Sequence, residues 1–424
     1  MKANTYRESL DSVLARCSLL GAERVFFREI VGRVLAQNLS AKRDDPPAPK
    51  SAMDGFALRA ADTAGATEKR PVRFAFDEVV GAGHQAEGTV TAGGAIRVMT
   101  GALLPVGADA VVKQEDTVSQ KLAGDGKPST SGRFAVTAPL ALGENVFPTG
   151  SRFARDDVLV PAGIPLNSQA LGLFAGEGRE DVHVFRRPLV VILALGDELV
   201  EPGRRLEPGQ IYVSNLYALE AEAVRYGAET LNLGIVGDDP AAIRRRLRRY
   251  AQSDGSGRAH IVVTIGGSHQ GDFDYVGDVQ EGLGGQIHFR RTRINLGGST
   301  VFGTVGETLM FGLPGTPLVS WGAFELLVRP AIWKMGGRRT LEHRVLQARL
   351  GAPLTMNPRR PGRAHFIPAM LEFEGDGPPR AFPLTERPTG SQPTATLADG
   401  LIAVPEDTDS LAEGDSVPVW WLQG

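Results

Sequence analysis

The stretch Ile261 to Tyr275, IVVTIGGSHQGDFDY, limits the fold more than any other part of the chain. Its near-continuous apolar run (Ile261, Val262, Val263, Ile265) marks a strand buried on both faces of a sheet. The run ends at Gly266-Gly267, and an acidic turn, Asp272-Phe273-Asp274, and a helix-like segment follow. That order places the stretch in an α/β sheet, whose ligands bind in the crevice at the carboxyl ends of the strands. Glycine lets backbone N–H groups approach an anion, and a helix N-terminus adds partial positive charge. The acidic residues suit a hard cation such as Mg²⁺ bridging protein and phosphate oxygens. An ordinary βα loop carrying a solvated Asp pair fits the same residues.

The alternation continues on both sides. LVVILALGDEL (Leu189 to Leu199) and ETLNLGIVG predict two more strands, IHFRR another, and VFGTV with TLMFGLPG a hairpin around Gly306-Glu307. Helices are predicted over Ser214 to Tyr226, from Pro240, over Tyr275 to Leu283, and from Pro317 to about Met335. The helix after Pro240 has an apolar stripe (Ile243, Leu247, Tyr250) and five arginines that read as a solvated face. Together these elements predict a doubly wound α/β domain.

Four loops then fall on one sheet edge: Gly196-Asp197-Glu198, Gly237 to Pro240, the glycine loop after Ile265, and Leu313 to Pro317. Glu198, Asp238 and Asp274 form a carboxylate set suited to Mg²⁺. Gly266, Gly267 and Gly315 offer N–H groups to phosphate, with Ser268, His269 and Thr316 beside them as further ligand-binding candidates. Asp239, just ahead of Pro240, reads as a helix N-cap.

The remainder is turn-rich. Helices are expected over Ser9 to Leu20, Phe27 to Leu35 and Leu166 to Gly178, the last capped by Asn167 or Ser168. Pro46, Pro47 and Pro49 interrupt regular structure, and Asp54 sits at the tip of a Met-Asp-Gly turn, where Asp serves as a turn former. Short strands cut by glycines from Val72 to Leu140 predict a β-rich domain, with a polar loop at Gln120 to Arg133. Beyond Arg338 short strands return, predicting a barrel or sandwich with Trp420-Trp421 in its core.

With 424 residues, two to four domains are expected. A net charge of −3 and no recognition motif argue against a nucleic-acid partner. The single cysteine, Cys17, rules out an internal disulfide and a cysteine-based zinc cluster and suits a reducing cytoplasm. No apolar signal core opens the sequence and no apolar run is long enough to span a bilayer, so no membrane partner is expected. Histidines at metal spacing, a dinucleotide fingerprint, a Walker loop and a serine nucleophile elbow are all missing from the sequence.

SAMDGFALRAAD (Ser51 to Asp62), RVMTGALLPVGADAVVKQED (Arg97 to Asp116), LGDEL (Leu195 to Leu199), GQIYVSN (Gly209 to Asn215), GGSHQGDFDYV (Gly266 to Val276) and LPGTPLVSWGAFELLVRPA (Leu313 to Ala331) occur in one order along nearly the whole chain. In these the chain resembles the MoeA family of molybdopterin molybdenumtransferases, to which the E domain of gephyrin is similar. The resemblance implies four domains: an N-terminal linker domain in two segments (1–46 and 145–180), an inserted β-rich domain (47–144), a molybdopterin-binding α/β domain (181–337) and a C-terminal β-barrel (338–424). It implies a cytoplasmic homodimer with the active site between subunits. Molybdopterin adenylyltransferase and molybdoenzyme maturation proteins are the further partners. The implied reaction cleaves adenylylated molybdopterin with Mg²⁺, inserts molybdate at the dithiolene and releases AMP.

Family functional positions carry over at Asp54, Thr100, Glu198, Asp238 and Asp274. Asp54 and Thr100 would contact ligand from the neighbouring subunit. Ser391 is a further candidate for ligand binding. Several positions depart from the family pattern. Its lysine-rich loop K-P-G-K-P reads Asn295-Leu296-Gly297-Gly298-Ser299, G-G-V-S-V-G reads Gly266 to Gly271, and Y-D-T-N reads Tyr212-Val213-Ser214-Asn215. P-G-N-P reads Pro314 to Pro317, and an R-G-E-D stretch reads Thr149 to Arg152. Lysines would bind molybdate and phosphate as mobile point charges; Arg290, Arg291 and Arg293 lie just upstream and are candidates to replace them. Two readings follow: the molybdate-inserting enzyme, or a paralogue that carries molybdopterin or scaffolds assembly without that turnover.

Overall fold

The structure, a computed structural model, describes residues 3–119, 130–252, 258–267, 275–356, 362–385 and 392–422. Two compact units make up the chain: Asn38–Pro161, and Met1–Gln37 together with Ala162–Gly424.

In the larger unit a six-stranded sheet is formed by β1 (Leu189–Leu195), β2 (Glu229–Val236), β3 (Ile261–Ile265), β4 (Gln286–Phe289), β5 (Val301–Val305) and β6 (Thr308–Leu313), in the order β2-β1-β3-β6-β5-β4. Strands β2, β1, β3 and β6 run parallel; β5 is antiparallel to both neighbours, closing the expected hairpin at Val305↔Thr308. The helices are α1 (Asn215–Arg225), α2 (Pro240–Ala251), α3 (Tyr275–Gly282), α4 (Pro317–Ala323) and α5 (Arg329–Met335). One apolar core holds Ile192, Val263, Leu216 and Phe324; the other holds Leu193, Val262, Ile243 and Val279. Every residue of β3 is buried, so its lack of alternation follows from helices covering both faces.

The helix expected from Pro317 runs to Met335, but between α4 and α5 it widens into a π turn, Phe324–Val328. Pro330 lacks the N–H that regular helix needs, and the wide turn lies just ahead of it. Asp239 caps α2 by accepting from the Ala241 N–H at 2.8 Å. In that helix Arg245, Arg246, Arg248 and Arg249 are exposed and Ile243 and Leu247 are buried.

A closed barrel follows from β7 (Arg344–Leu350), β8 (His365–Glu372), β9 (Arg380–Pro383), β10 (Gly400–Val404) and β11 (Ser416–Trp421), ordered β7-β9-β8-β10-β11. Its interior contains Leu350, Ala369, Ile402, Val417 and Val419. Trp420 is not in that interior: it packs on Tyr6 and Phe366 with centroids 5.8 and 4.9 Å away, against the α/β core. Side chains alternate along a strand, and Val417 and Val419 occupy the inward positions of β11.

Two N-terminal expectations are corrected. The first helix is Tyr6–Leu14 rather than Ser9 to Leu20, because a Thr5/Glu8 capping box sets its start. Phe27 to Leu35 is not a helix; only Phe27–Glu29 makes a 3₁₀ turn, and Gly32, at φ +78°, turns the chain so that Val34 and Leu35 bridge to Pro165 and Val184. The third helix, Ser168–Gly176, is capped by Asn167.

The unit Asn38–Pro161 has a six-stranded sheet of Ala110–Lys113, Gly55–Leu58, Gly94–Val98, Val72–Val80, Gly132–Val136 and Thr117–Ser119 in that spatial order. Its core is aromatic: Phe134 stacks on Phe56 and Phe74 with centroids 3.9 and 5.5 Å away. The polar loop expected at Gln120 to Arg133 lies mostly outside the described residues. Among the described residues no helix is long and apolar enough to cross a membrane.

Candidate functional site

A pocket of about 470 Å³ opens at the carboxyl ends of the parallel strands. It is lined by Gly196 and Glu198 after β1, Asp238 after β2, Gly266 and Gly267 after β3, and Gly315 to Pro317 after β6. Tyr212, Val213, Ser214 and Asn215, at the start of α1, complete it. Parallel strands with short loops bring these sequence-distant residues to one edge.

The glycines have steric reasons to be there. Gly266 has φ +95° and donates its N–H to the Leu313 carbonyl at 2.9 Å; a Cβ there would stand 2.5 Å from the Leu195 carbonyl oxygen. Its N–H is therefore spent on β6, a correction to its expected place among the phosphate donors, and its part in the pocket is the close turn. A Cβ on Gly315 would stand only 3.6 Å from Gly266 Cα, so the two loops pass close together. Asn215 Nδ2 donates to the Gly315 carbonyl at 2.5 Å and ties the start of α1 to that loop. Thr316 occupies the N-cap position of α4, yet its side chain makes no capping bond. That leaves the hydroxyl available to a ligand.

Asp197, exposed between Gly196 and Glu198, reaches across to the next loop. Its Oδ1 accepts from the Asp238 N–H at 3.2 Å, and a Cβ on Gly237 would overlap the same oxygen. Glu198 folds back over Gly196, whose φ of +148° and missing Cβ leave room for its carboxylate. Glu198 is exposed and Asp238 half-buried, so both carboxylates reach water and can trade it for a ligand.

Two hard carboxylates on the wall of one pocket, beside glycine N–H groups, fit Mg²⁺ shared with a phosphorylated ligand. Such an ion keeps several waters and takes one or two protein carboxylates. The absence of a cluster of three or more His, Cys, Asp or Glu among the described residues is compatible with that mode. Asp274, Ser268, His269 and Ser391 lie outside the described residues.

Within the unit Asn38–Pro161, Asp54 and Thr100 form a pair. The Thr100 N–H and Oγ1–H both donate to Asp54 Oδ1 at 2.7 Å. The backbone donor first, then the hydroxyl, holds the Asp54 carboxyl below the usual carboxylate range. Asp54 is thus more than a turn former: its partner lies 46 residues away along the chain.

Two of the three upstream arginines are engaged elsewhere, while Arg291 is exposed. Arg293 stands 3.6 Å from Glu406, and Arg290 donates to Glu281 at 3.0 Å. Asn295, in the loop that departs from the lysine pattern, is held by β8: its Nδ2 donates to the Phe366 carbonyl at 2.9 Å and its Oδ1 accepts from the Phe366 N–H at 2.8 Å. Leu296 is buried against Gly322. Val213, where the family pattern has Asp, is buried in the pocket wall. The positioning roles of Asp197 and Asn215 went unread in the sequence. The signals were an acid flanking Glu198 at a strand end and an Asn at a helix start, where its amide favours backbone partners.

Comparison with known proteins gives three family matches along the chain. Residues 4–178 match the MoeA N-terminal region (domains I and II), 191–334 a probable molybdopterin binding domain, and 347–422 the MoeA C-terminal region (domain IV). The chain is 33% identical to a molybdopterin molybdenumtransferase of Nostoc sp. over 82% of its own length and 78% of that protein's. It is 31% identical to the Bacillus subtilis molybdopterin molybdenumtransferase over 94% and 89%. A crystal structure of the molybdopterin biosynthesis MoeA protein from Pyrococcus horikoshii superposes with a TM-score of 0.81 at 30% identity, covering 100% of both chains. On these three grounds, the order of its domains, the curated relatives and the superposed fold, the chain belongs to the MoeA family.

Proposed function

We propose that the chain is a molybdopterin molybdenumtransferase of molybdenum cofactor biosynthesis, acting on adenylylated molybdopterin and molybdate with Mg²⁺-dependent release of AMP. The observation that carries this reading is the pocket that holds Glu198, Asp238, Gly266, Gly267, Gly315 and Thr316 on one sheet edge. Its curated relatives are molybdopterin molybdenumtransferases.

In this reading the N–H groups of Gly267 and Gly315 face the ligand's phosphates, Gly266 supplies the turn that brings them close, and the Thr316 hydroxyl adds a donor. Glu198 and Asp238 would hold Mg²⁺, with Asp274 as the third carboxylate, and Asp197 fixes the backbone that carries Asp238. Mg²⁺ held by Glu198 and Asp238 would neutralise charge that develops on departing AMP. Asn215 keeps the Gly315 loop against the pocket. Asp54, kept ionised by the two Thr100 donors, serves as an acceptor toward the ligand. Ser268, His269, Arg293 and Ser391 are kept as ligand-binding candidates. The four-domain division, a homodimer, a cytoplasmic location and the two partner classes named above belong to the same proposal.

One observation favours the second reading, a carrier or assembly scaffold. The loop that would bring two lysines is instead fastened to β8 through Asn295. Incubating the purified protein with adenylylated molybdopterin, Mg²⁺ and molybdate, and following AMP, separates the two. AMP release is expected; bound ligand with no AMP would establish the carrier.

A further inference from the structure

A second cavity, of about 140 Å³, opens at the opposite edge of the sheet. Arg187, on its wall, lies just before β1, and Gly227 just before β2, so this is the amino-terminal edge of the parallel strands. Among the described residues five arginines line it, Arg33, Arg186, Arg187, Arg225 and Arg338, and no carboxylate does.

Charge decides what such a cavity can hold. Arg33 pairs with Glu23, and Arg225 stands 3.4 Å from Glu222. Arg186, Arg187 and Arg338 have no carboxylate partner among the described residues. Complementing helix C-termini is the purely structural use of such arginines, and α1 and α5 both end at this cavity. Each helix end supplies roughly half a negative charge, about one for the two. That leaves about two positive charges uncompensated.

The donors are also unfinished. Among the described residues Arg187 Nε is buried without a hydrogen-bond partner, as is the indole Nε1 of Trp333, a residue only 8% exposed. Arg338 lies over the Trp333 ring at 3.9 Å, with Arg329 at 4.1 Å from the same ring. Burial and the nearby Arg329 push the Arg338 guanidinium down to about 10, the response of a cation short of a counter-ion. Buried donors left idle in a positive cavity cost stability, and a bound anion removes that cost.

We propose that this cavity is a binding site for a tetrahedral oxyanion carrying two negative charges, inorganic phosphate or the phosphate of a nucleotide, held by Arg186, Arg187 and Arg338 with the Trp333 N–H. The guanidinium fork matches the paired oxygens of such an anion. The site is separate from the carboxyl-edge pocket and does not depend on the function proposed for it.

Isothermal titration of the full chain with inorganic phosphate and with AMP tests the proposal, alongside Trp333 fluorescence. Saturable binding is expected, weakened roughly tenfold or more by Arg187→Gln and again by Arg338→Gln. Circular dichroism confirms that each variant is folded; Arg187→Lys, which keeps charge but loses the fork, should fall in between. Binding of phosphate identifies a free anion as occupant, and arginine-dependent binding of AMP alone identifies a nucleotide phosphate. No binding to the wild-type chain overturns the proposal. So does binding that ignores Arg187→Gln and Arg338→Gln.

Discussion

Replacing Asp197 with Ala tests whether a residue that holds a ligand-binding loop matters as much as the ligands themselves. Its Oδ1 accepts from the Asp238 N–H at 3.2 Å, one charge-assisted bond that ties the loop after β1 to the loop after β2. Bonds of this kind are worth about 1.5–3 kcal/mol when fully expressed. Asp197 is exposed, so screening puts the effect near the low end, roughly tenfold to thirtyfold in turnover. Stability should fall by no more than about 1.5 kcal/mol, the worth of that one exposed bond. The assay is AMP release as a function of Mg²⁺ concentration, beside thermal unfolding. Asp197→Asn, which keeps an acceptor oxygen, should recover most of the activity. Gly237→Ala should mimic the loss, since its Cβ would overlap the Asp197 oxygen. Wild-type turnover of Asp197→Ala at every Mg²⁺ concentration would refute the reasoning, and an Asn variant as slow as the Ala variant would show that charge, not the held loop, was responsible.

Thr100→Val removes one of the two donors to Asp54, and the Asp54 carboxyl should titrate higher by NMR, though still below normal because the backbone donor remains. Glu325, fully buried, accepts from Tyr226 Oη at 2.6 Å and faces Arg329 at 3.5 Å and His343 at 3.3 Å; Glu325→Ala strands a buried guanidinium and should cost about 3–5 kcal/mol in chemical denaturation, whereas a Glu325→Met, Arg329→Met double variant should cost less. Burial lowers the pKa of both His343 and His260 in the folded chain, and His260 Nδ1 accepts from the Leu189 N–H at 2.9 Å. The unfolded chain therefore takes up protons first, so stability should be flat above about pH 6.5 and fall as pH drops from there through the lowered folded values; denaturant titrations with His260→Gln should flatten part of that slope.

The α/β sheet was legible because its central strands β1, β3 and β6 are buried on both faces and its helices are amphipathic, so strand type, order of elements and the shared loop edge all follow from hydrophobic period. Glu198, Asp238, Gly266 and Gly315 could be brought together on that basis alone. Other features depend on tertiary partners that local sequence does not record. The bond from Asp197 to Asp238 spans 41 residues, and that from Asn215 to Gly315 spans 100. The same holds for Gly266, whose N–H is taken by Leu313 from a strand that follows much later in the chain. Phe27 to Leu35 has helical spacing, but strand pairing with Val184 outweighed it once Gly32 turned the chain. Trp420 was misplaced because a strand's period says that its two faces differ, not which one is inside the barrel.

The loop Asn295 to Ser299 bears on where positive charge can come from in this protein. A lysine acts on an anion as a point charge at the end of a flexible stem, and its use depends on reach. Here the loop has two bonds to the Phe366 backbone and a leucine packed under the long helix, so it is built for fixity. Of the three arginines upstream, Arg290 and Arg293 face Glu281 and Glu406, and Arg291 is exposed. Under the function proposed above, neutralisation at the carboxyl-edge pocket would fall on backbone N–H groups and on Mg²⁺ held by Glu198 and Asp238, both acting at fixed positions. On that reading ligand binding there is expected to depend more steeply on Mg²⁺ than on salt, since a bound divalent ion is screened far less than surface lysines are; an isotherm that responds to salt but not to Mg²⁺ would overturn it.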